Sequence, residues 1–151
     1  MSGEQRLSIH DVDATAYESV LVMERYVRAG DLEPDLLELI KIRASQINGC
    51  AFCLDMHNRD ARAQGEDQRR LDILAGWHEA ASFFTEREQA ALALTEVVTR
   101  LPDAGVSDEI WENVAKHFDE SQLVTLLMAI ATINVWNRLA VSTRQQVPDT
   151  P

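Results

Sequence analysis

Apolar residues recur along this chain with a helical period, and polar breaks divide them into segments of helix length. No sustained strand-like alternation occurs. The single Asn-Gly step, Asn48-Gly49, lies between two helical patterns rather than between β-branched runs. The pattern predicts an all-α, compact domain of about six to seven helices spanning 1–151. Residues 1–10 read as an N-terminal arm and 142–151 as a loose polar tail.

The first helix is expected over 13–29, with Val20, Met23, Tyr26 and Val27 inward and Gly30 as its stop. Pro34 suits the first position of a second helix, with Glu33 and Asp35 at its positive dipole end. That helix should turn Leu36, Leu37, Ile40 and Ile47 inward and end at Asn48-Gly49. A third helix is expected over 50–65 and a short fourth from 66 or 67 to 74, followed by an aromatic-rich connection over 77–84. Thr85-Glu86-Arg87-Glu88 has capping-box spacing and starts a helix at Glu86 that ends near Arg100. Ser107 can cap a helix holding Ile110, Trp111, Val114 and Phe118, and Asp119 can cap the last, from Glu120 to about Val141. Between 123 and 135 this last helix is apolar on every face, so it is expected to be buried all round, in part within a subunit interface.

Composition narrows the function classes. Of 151 residues, 46% are hydrophobic and the formal net charge is −11. Phosphate binding draws on clustered Lys and Arg, and no basic run occurs, which argues against nucleic acid and anionic membrane surfaces. The N-terminus has no apolar core of a signal peptide, and the longest uncharged stretch, 121–137, reads as too short and too polar for a bilayer span. A cytoplasmic protein is expected. There, a C-x-x-C pair points to catalysis or metal binding rather than to a structural staple.

The only two cysteines, Cys50 and Cys53, form such a pair, with His57 four residues after the second and Glu38 twelve before the first. A thiol with an ordinary pKa is only a few per cent ionised at neutral pH, and half-ionising it takes roughly 2 kcal/mol. A helix N-terminus supplies about 0.3–1 kcal/mol, which Cys50 can receive at the start of the third helix. His57 shares a helix face with both cysteines and can accept a thiol proton. Glu38 helps only by taking a proton or by orienting His57, because a bare carboxylate beside a thiolate opposes ionisation. Ser45, on the Glu38 face, could hold a water in such a relay. Two cysteines three apart can close a bridge with little movement, so an oxidised thiol would be trapped by its neighbour. No bound cofactor is needed. A zinc site built from Cys50, Cys53, His57 and Glu38 is the rival reading, and a pair of buried small apolar residues is the plainest one. His10, His78 and His117 have no such companions and read as structural or surface residues. Trp77, Trp111 and Trp136 read as core or interface, and Arg138 as paired with a carboxylate or with carbonyls.

The run Glu38…Arg43-Ala44-Ser45-Gln46-Ile47-Asn48-Gly49-Cys50-Ala51-Phe52-Cys53…His57 resembles the core of the AhpD-like alkylhydroperoxidase, or carboxymuconolactone decarboxylase, family. The likeness extends through Asn134-Val135-Trp136-Asn137-Arg138-Leu139. It implies an all-α fold, homotrimers or hexamers, and reduction of alkyl hydroperoxides. It makes Cys53 the attacking thiol, Cys50 the resolving one, and Glu38 and His57 a proton relay. The oxidised pair would be re-reduced by a dithiol such as a lipoyl group or a thioredoxin-like protein. The helix-dipole argument alone favours Cys50 as the activated thiol, so the two readings disagree there. Characterised AhpD enzymes carry a histidine just before the second cysteine, where this chain has Phe52. The decarboxylase branch lacks the cysteine pair, which disfavours muconolactone chemistry. A dithiol protein that exchanges disulfides or senses oxidants without turnover is the main alternative, and a non-catalytic helical oligomer the second.

Overall fold

The computed structural model describes residues 3–150, among which every regular element is helical. In chain order these are α1 (Ile9–Val12), α2 (Ala14–Ala29), α3 (Pro34–Asn48), α4 (Ala51–Ala63), α5 (Gln68–Ile73), a 3-10 segment (Leu74–Phe83), α6 (Glu86–Thr99), α7 (Asp108–His117) and α8 (Glu120–Thr143). The expected caps form because they are local. Thr85 with Glu88 and Asp119 with Gln122 close reciprocal capping boxes, and Ser107 caps α7.

The helix at the centre is α3. Leu36, Leu37 and Ile40 enter one apolar cluster with α6, α7 and α8, while Leu39 and Ile42 enter a second with α4, the 3-10 segment and Leu92. Its third face, carrying Glu38, Lys41 and Ser45, is buried as well. For α8, full burial was expected only with a subunit interface as part of its cover. In this chain α8 packs against α2, α3 and α6 but leaves Val124 and Val141 about half exposed, with Leu127, Met128 and Val135 only partly covered. At 24 residues α8 is also long and apolar enough to cross a bilayer, contrary to the sequence expectation; here it is a packed helix of the core.

Other expectations need correction for physical reasons. On α2 the inward positions are Val20, Glu24 and Val27, while Tyr26 points out; a charge takes an inward place because a partner meets it there. Trp111 is exposed at 40%, whereas Trp77 is core and Trp136 is half-buried. The aromatic connection is ordered as a 3-10 segment, held by Trp77 in the second cluster. The arm holds a short helix of its own, and Arg6 donates its backbone N–H to the Thr143 carbonyl at 2.8 Å. The tail is anchored at its start: α8 runs to Thr143, Arg144 turns left-handed, and the Gln145 N–H returns to the Ala140 carbonyl at 2.9 Å. Residues 1, 2 and 151 of the arm and tail lie outside the described residues.

Candidate active site

The site is made by the corner between α3 and α4. Gly49 adopts the left-handed conformation (φ 66°) that ends α3, a shape glycine takes without steric cost. The next residue, Cys50, is the N-cap of α4. A corner this short folds α4 back along α3, which brings His57 of one helix against Glu38 of the other. His57 Nδ1 lies 2.9 Å from Glu38 Oε2, and both side chains are almost fully buried. With the carboxylate as acceptor, Nδ1 is the donor and Nε2 is left free to take a proton.

Cys50 and Cys53 are joined by a disulfide, with Cα atoms 5.3 Å apart. The backbone N–H of Cys53 donates to Cys50 Sγ at 3.3 Å, so Cys50 sits in the positive end of α4. Cys53 has a different setting. It lines a cleft of about 230 Å³ together with His57, Phe52, Met56, Leu21, Tyr17, Trp136 and Ala140, with Glu24 and Arg28 contributing charge. Cys50 borders a separate, more open hollow of about 400 Å³ beside Arg144 and Gln146, and Phe52 borders both spaces. The two sulfurs therefore have different surroundings: a helix N-terminus at Cys50 and a cleft shared with His57 at Cys53.

Charged residues missed in the sequence complete the surroundings. Lys41, 3% exposed, donates to Glu24 Oε1 at 2.7 Å and lies 3.9 Å from Glu38 Oε1. Glu24 also receives the Trp136 indole N–H at 3.3 Å and lies 3.5 Å from Arg28. Burial pushes the Glu24 carboxyl up, but the charge and hydrogen bond of Lys41, with Trp136 and Arg28, outweigh it and hold the group below its ordinary value. The signal in the sequence was faint: Glu24 falls midway between Val20 and Val27 on the inward stripe, and Lys41 is one turn from Glu38.

Ser45, on the Glu38 face of α3 as expected, makes no direct hydrogen bond to Glu38. Its hydroxyl donates to the Lys41 carbonyl and accepts from Asn137, which belongs to an amide network linking Asn48, Asn134 and Thr99. Arg138 donates to the Asn134 side-chain and backbone oxygens, in line with the expected pairing. His10 and His78 hydrogen-bond to Asp11 and Glu96, and the His117 carbonyl accepts from Arg87. The set weighed for zinc is not the one gathered here, since both cysteines are taken by their disulfide. Donor atoms of Glu38, His57 and Asp60 do lie within 4.8 Å of one another. The Lys41 ammonium 3.9 Å from Glu38 opposes a second cation, so the cluster suits a shared proton better than a metal.

Fold and site together define an AhpD-like helical protein with a dithiol centre. The chain belongs to the carboxymuconolactone decarboxylase family, whose model matches residues 15–96. It is 41% identical over 138 residues to the uncharacterized protein YdfG of Bacillus subtilis (strain 168), covering 91% of this chain and 93% of that one. Among solved structures it resembles ATU0492 of Agrobacterium tumefaciens, a protein of unknown function with a proposed assignment as the antioxidant defence protein AhpD. That likeness has a TM-score of 0.92 and 36% identity, over 96% of this chain and 99% of the other. The fold is also shared with the debrominase Bmp8, solved as a cysteine-to-alanine form with 2,3,4-tribromopyrrole, at a TM-score of 0.80 and 16% identity, over 92% of this chain and 74% of that one.

Proposed function

We propose that this chain is a thiol-dependent peroxidase that reduces alkyl hydroperoxides. The observation that carries the reading is the placement of Cys53 in one cleft with His57, whose other nitrogen is held by Glu38. His57 takes the Cys53 proton. The thiolate attacks the outer peroxide oxygen, the O–O bond breaks, and the imidazolium returns the proton to the departing alkoxide. Cys53 becomes a sulfenic acid and the product is an alcohol. Cys50, whose thiolate is favoured by the α4 N-terminus, then attacks the Cys53 sulfur; the disulfide forms and water leaves. A dithiol of the lipoyl or thioredoxin kind reduces the bridge, supplying two electrons and two protons and ending as its own disulfide. The apolar lining from Leu21, Phe52, Met56 and Trp136 favours an organic over a bare hydrogen peroxide.

Cumene hydroperoxide consumption with dihydrolipoamide as reductant tests the reading. Turnover is expected, and it should be lost in Cys53→Ser. Mass spectrometry should show the loss of two hydrogens from the peptide carrying both cysteines after one equivalent of peroxide. Oxidation that stops after one equivalent in the presence of reductant would identify a sensor or exchange protein instead. The half-covered apolar stripe of α8, Val124, Leu127, Met128, Ala131 and Val135, supports a homotrimer or hexamer, and light scattering at working concentration tests it.

A further inference from the structure

We infer that Lys41 is a positioning residue of the proton relay, anchored by Glu24 so that its ammonium keeps the negative charge on Glu38 and leaves His57 to carry the proton. The inference rests on the relay proposed above, but its test does not require peroxide.

The geometry is a chain of ionisable groups running across three helices. Glu24 on α2 meets Lys41 on α3 at 2.7 Å, Lys41 lies 3.9 Å from Glu38, and Glu38 meets His57 on α4 at 2.9 Å. All four are at most 8% exposed. The other charges facing the cluster are Arg28 from α2, beside Glu24, and Asp60 from α4, near Glu38 and His57; α8 contributes the neutral Trp136 N–H. A buried lysine with one carboxylate partner would be a closed ion pair. Here two carboxylates approach one ammonium, and Arg28 and Asp60 add one charge of each sign, so the cluster is one positive charge short and the proton that the Glu38–His57 pair takes from Cys53 closes the difference. The ammonium next to Glu38 opposes protonation of the carboxylate, which directs that proton to the imidazole. A proton on imidazolium can be handed to a departing alkoxide in the cleft. On Glu38, behind the ring, it would be out of reach.

The geometry also ranks the two members of the pair. Glu24 draws Lys41 at 2.7 Å and weakens its effect on Glu38, so removing Glu24 and removing Lys41 should move the relay in opposite directions.

The experiment is an NMR titration of the His57 imidazole in wild type, Lys41→Met, Glu24→Gln and the double variant. Each is taken in the disulfide form without peroxide, alongside the pH profile of hydroperoxide consumption. Lys41→Met should raise the pH at which the Glu38–His57 pair takes up its proton, and with it the acid limb of the rate, by about one unit, while the imidazole's share of that proton falls. Glu24→Gln should move both to lower pH by a smaller amount. The double variant, which loses a neutral pair, should fall between wild type and Lys41→Met, and it covers the case in which Lys41→Met alone fails to fold. Lys41→Arg should keep the wild-type midpoint. Midpoints that stay fixed, or move in the same direction in both single variants, would overturn the inference. These midpoint shifts in a protein that turns over no hydroperoxide would uphold Lys41 while removing the peroxidase reading.

Discussion

Two regions of this molecule assemble nearly the same kinds of side chain and use them differently. In one, Glu24 and Glu38 gather a lysine, a histidine and a tryptophan N–H beside the disulfide. In the other, Glu96 on α6 receives Arg43 and the Trp77 indole, both at 2.8 Å, and meets the His78 imidazole at 2.8 Å. The side chain of His78 is 62% exposed and stacks on Trp77, while that of His57 is 5% exposed. His78 meets bulk water directly, whereas His57 reaches solvent only through the cleft it shares with Cys53. The Glu96 group has no cysteine among its partners and fastens the 3-10 segment to α3 and α6. The set of residue types is therefore not what makes a reactive centre. The cysteine pair, the cleft and the burial of the histidine distinguish the two.

That contrast can be broken most directly by removing each centre in turn. Glu38→Gln and His57→Gln should each lower hydroperoxide consumption by about 10²–10⁴-fold, the range for a lost acid–base group, while Glu96→Gln should leave the rate within about threefold. Equal losses at all three would erase the distinction. Stability should respond the other way. Glu96→Ala strands two buried or half-buried donors and should lower unfolding free energy by about 1–3 kcal/mol, read from urea midpoints.

Acid should act on both regions through the same physics. Burial raises the Glu96 carboxyl, but hydrogen bonds from His78, Arg43 and Trp77 outweigh it and hold the group below its ordinary value, as Lys41 and Trp136 do for Glu24. A carboxylate depressed in the folded state contributes stability that is full above the ordinary carboxylate range. That stability is lost as pH falls through the range toward the folded value. Urea midpoints should drop over that window, and Glu96→Gln should flatten the drop. A smaller effect than at Glu38 or His57 is expected at Phe52→His, which places there the histidine of characterised AhpD enzymes. With His57 already in place, the rate should change by less than about tenfold, measured on the same substrate.

What could be read in the sequence follows from distance along the chain. Caps at Thr85, Ser107 and Asp119 depend on residues three positions away, and all three form. The pairing of Glu38 with His57 was legible because the resemblance carries their spacing. Glu24 and Lys41 were not, since a charge in a helical pattern reads as solvent-facing until its partner, 17 residues away on another helix, is known. The same limit hid the central place of α3. Periodicity reports how apolar a helix is but not how many neighbours surround it, and α3 holds the central place despite its charges. Ser45 was legible in part: a face shared with Glu38 was right, but the amide of Asn137, 92 residues away, claims the hydroxyl.

The disulfide encloses only a three-residue separation within one corner of the fold. Cross-links limit the freedom of an unfolded chain in proportion to the logarithm of the loop they close, so a ring this small restrains it least. In the loop-entropy account it contributes about 2 kcal/mol, so the reduced form should melt only several degrees below the oxidised one. In the proposed cycle, opening and closing this bond would therefore leave the architecture in place.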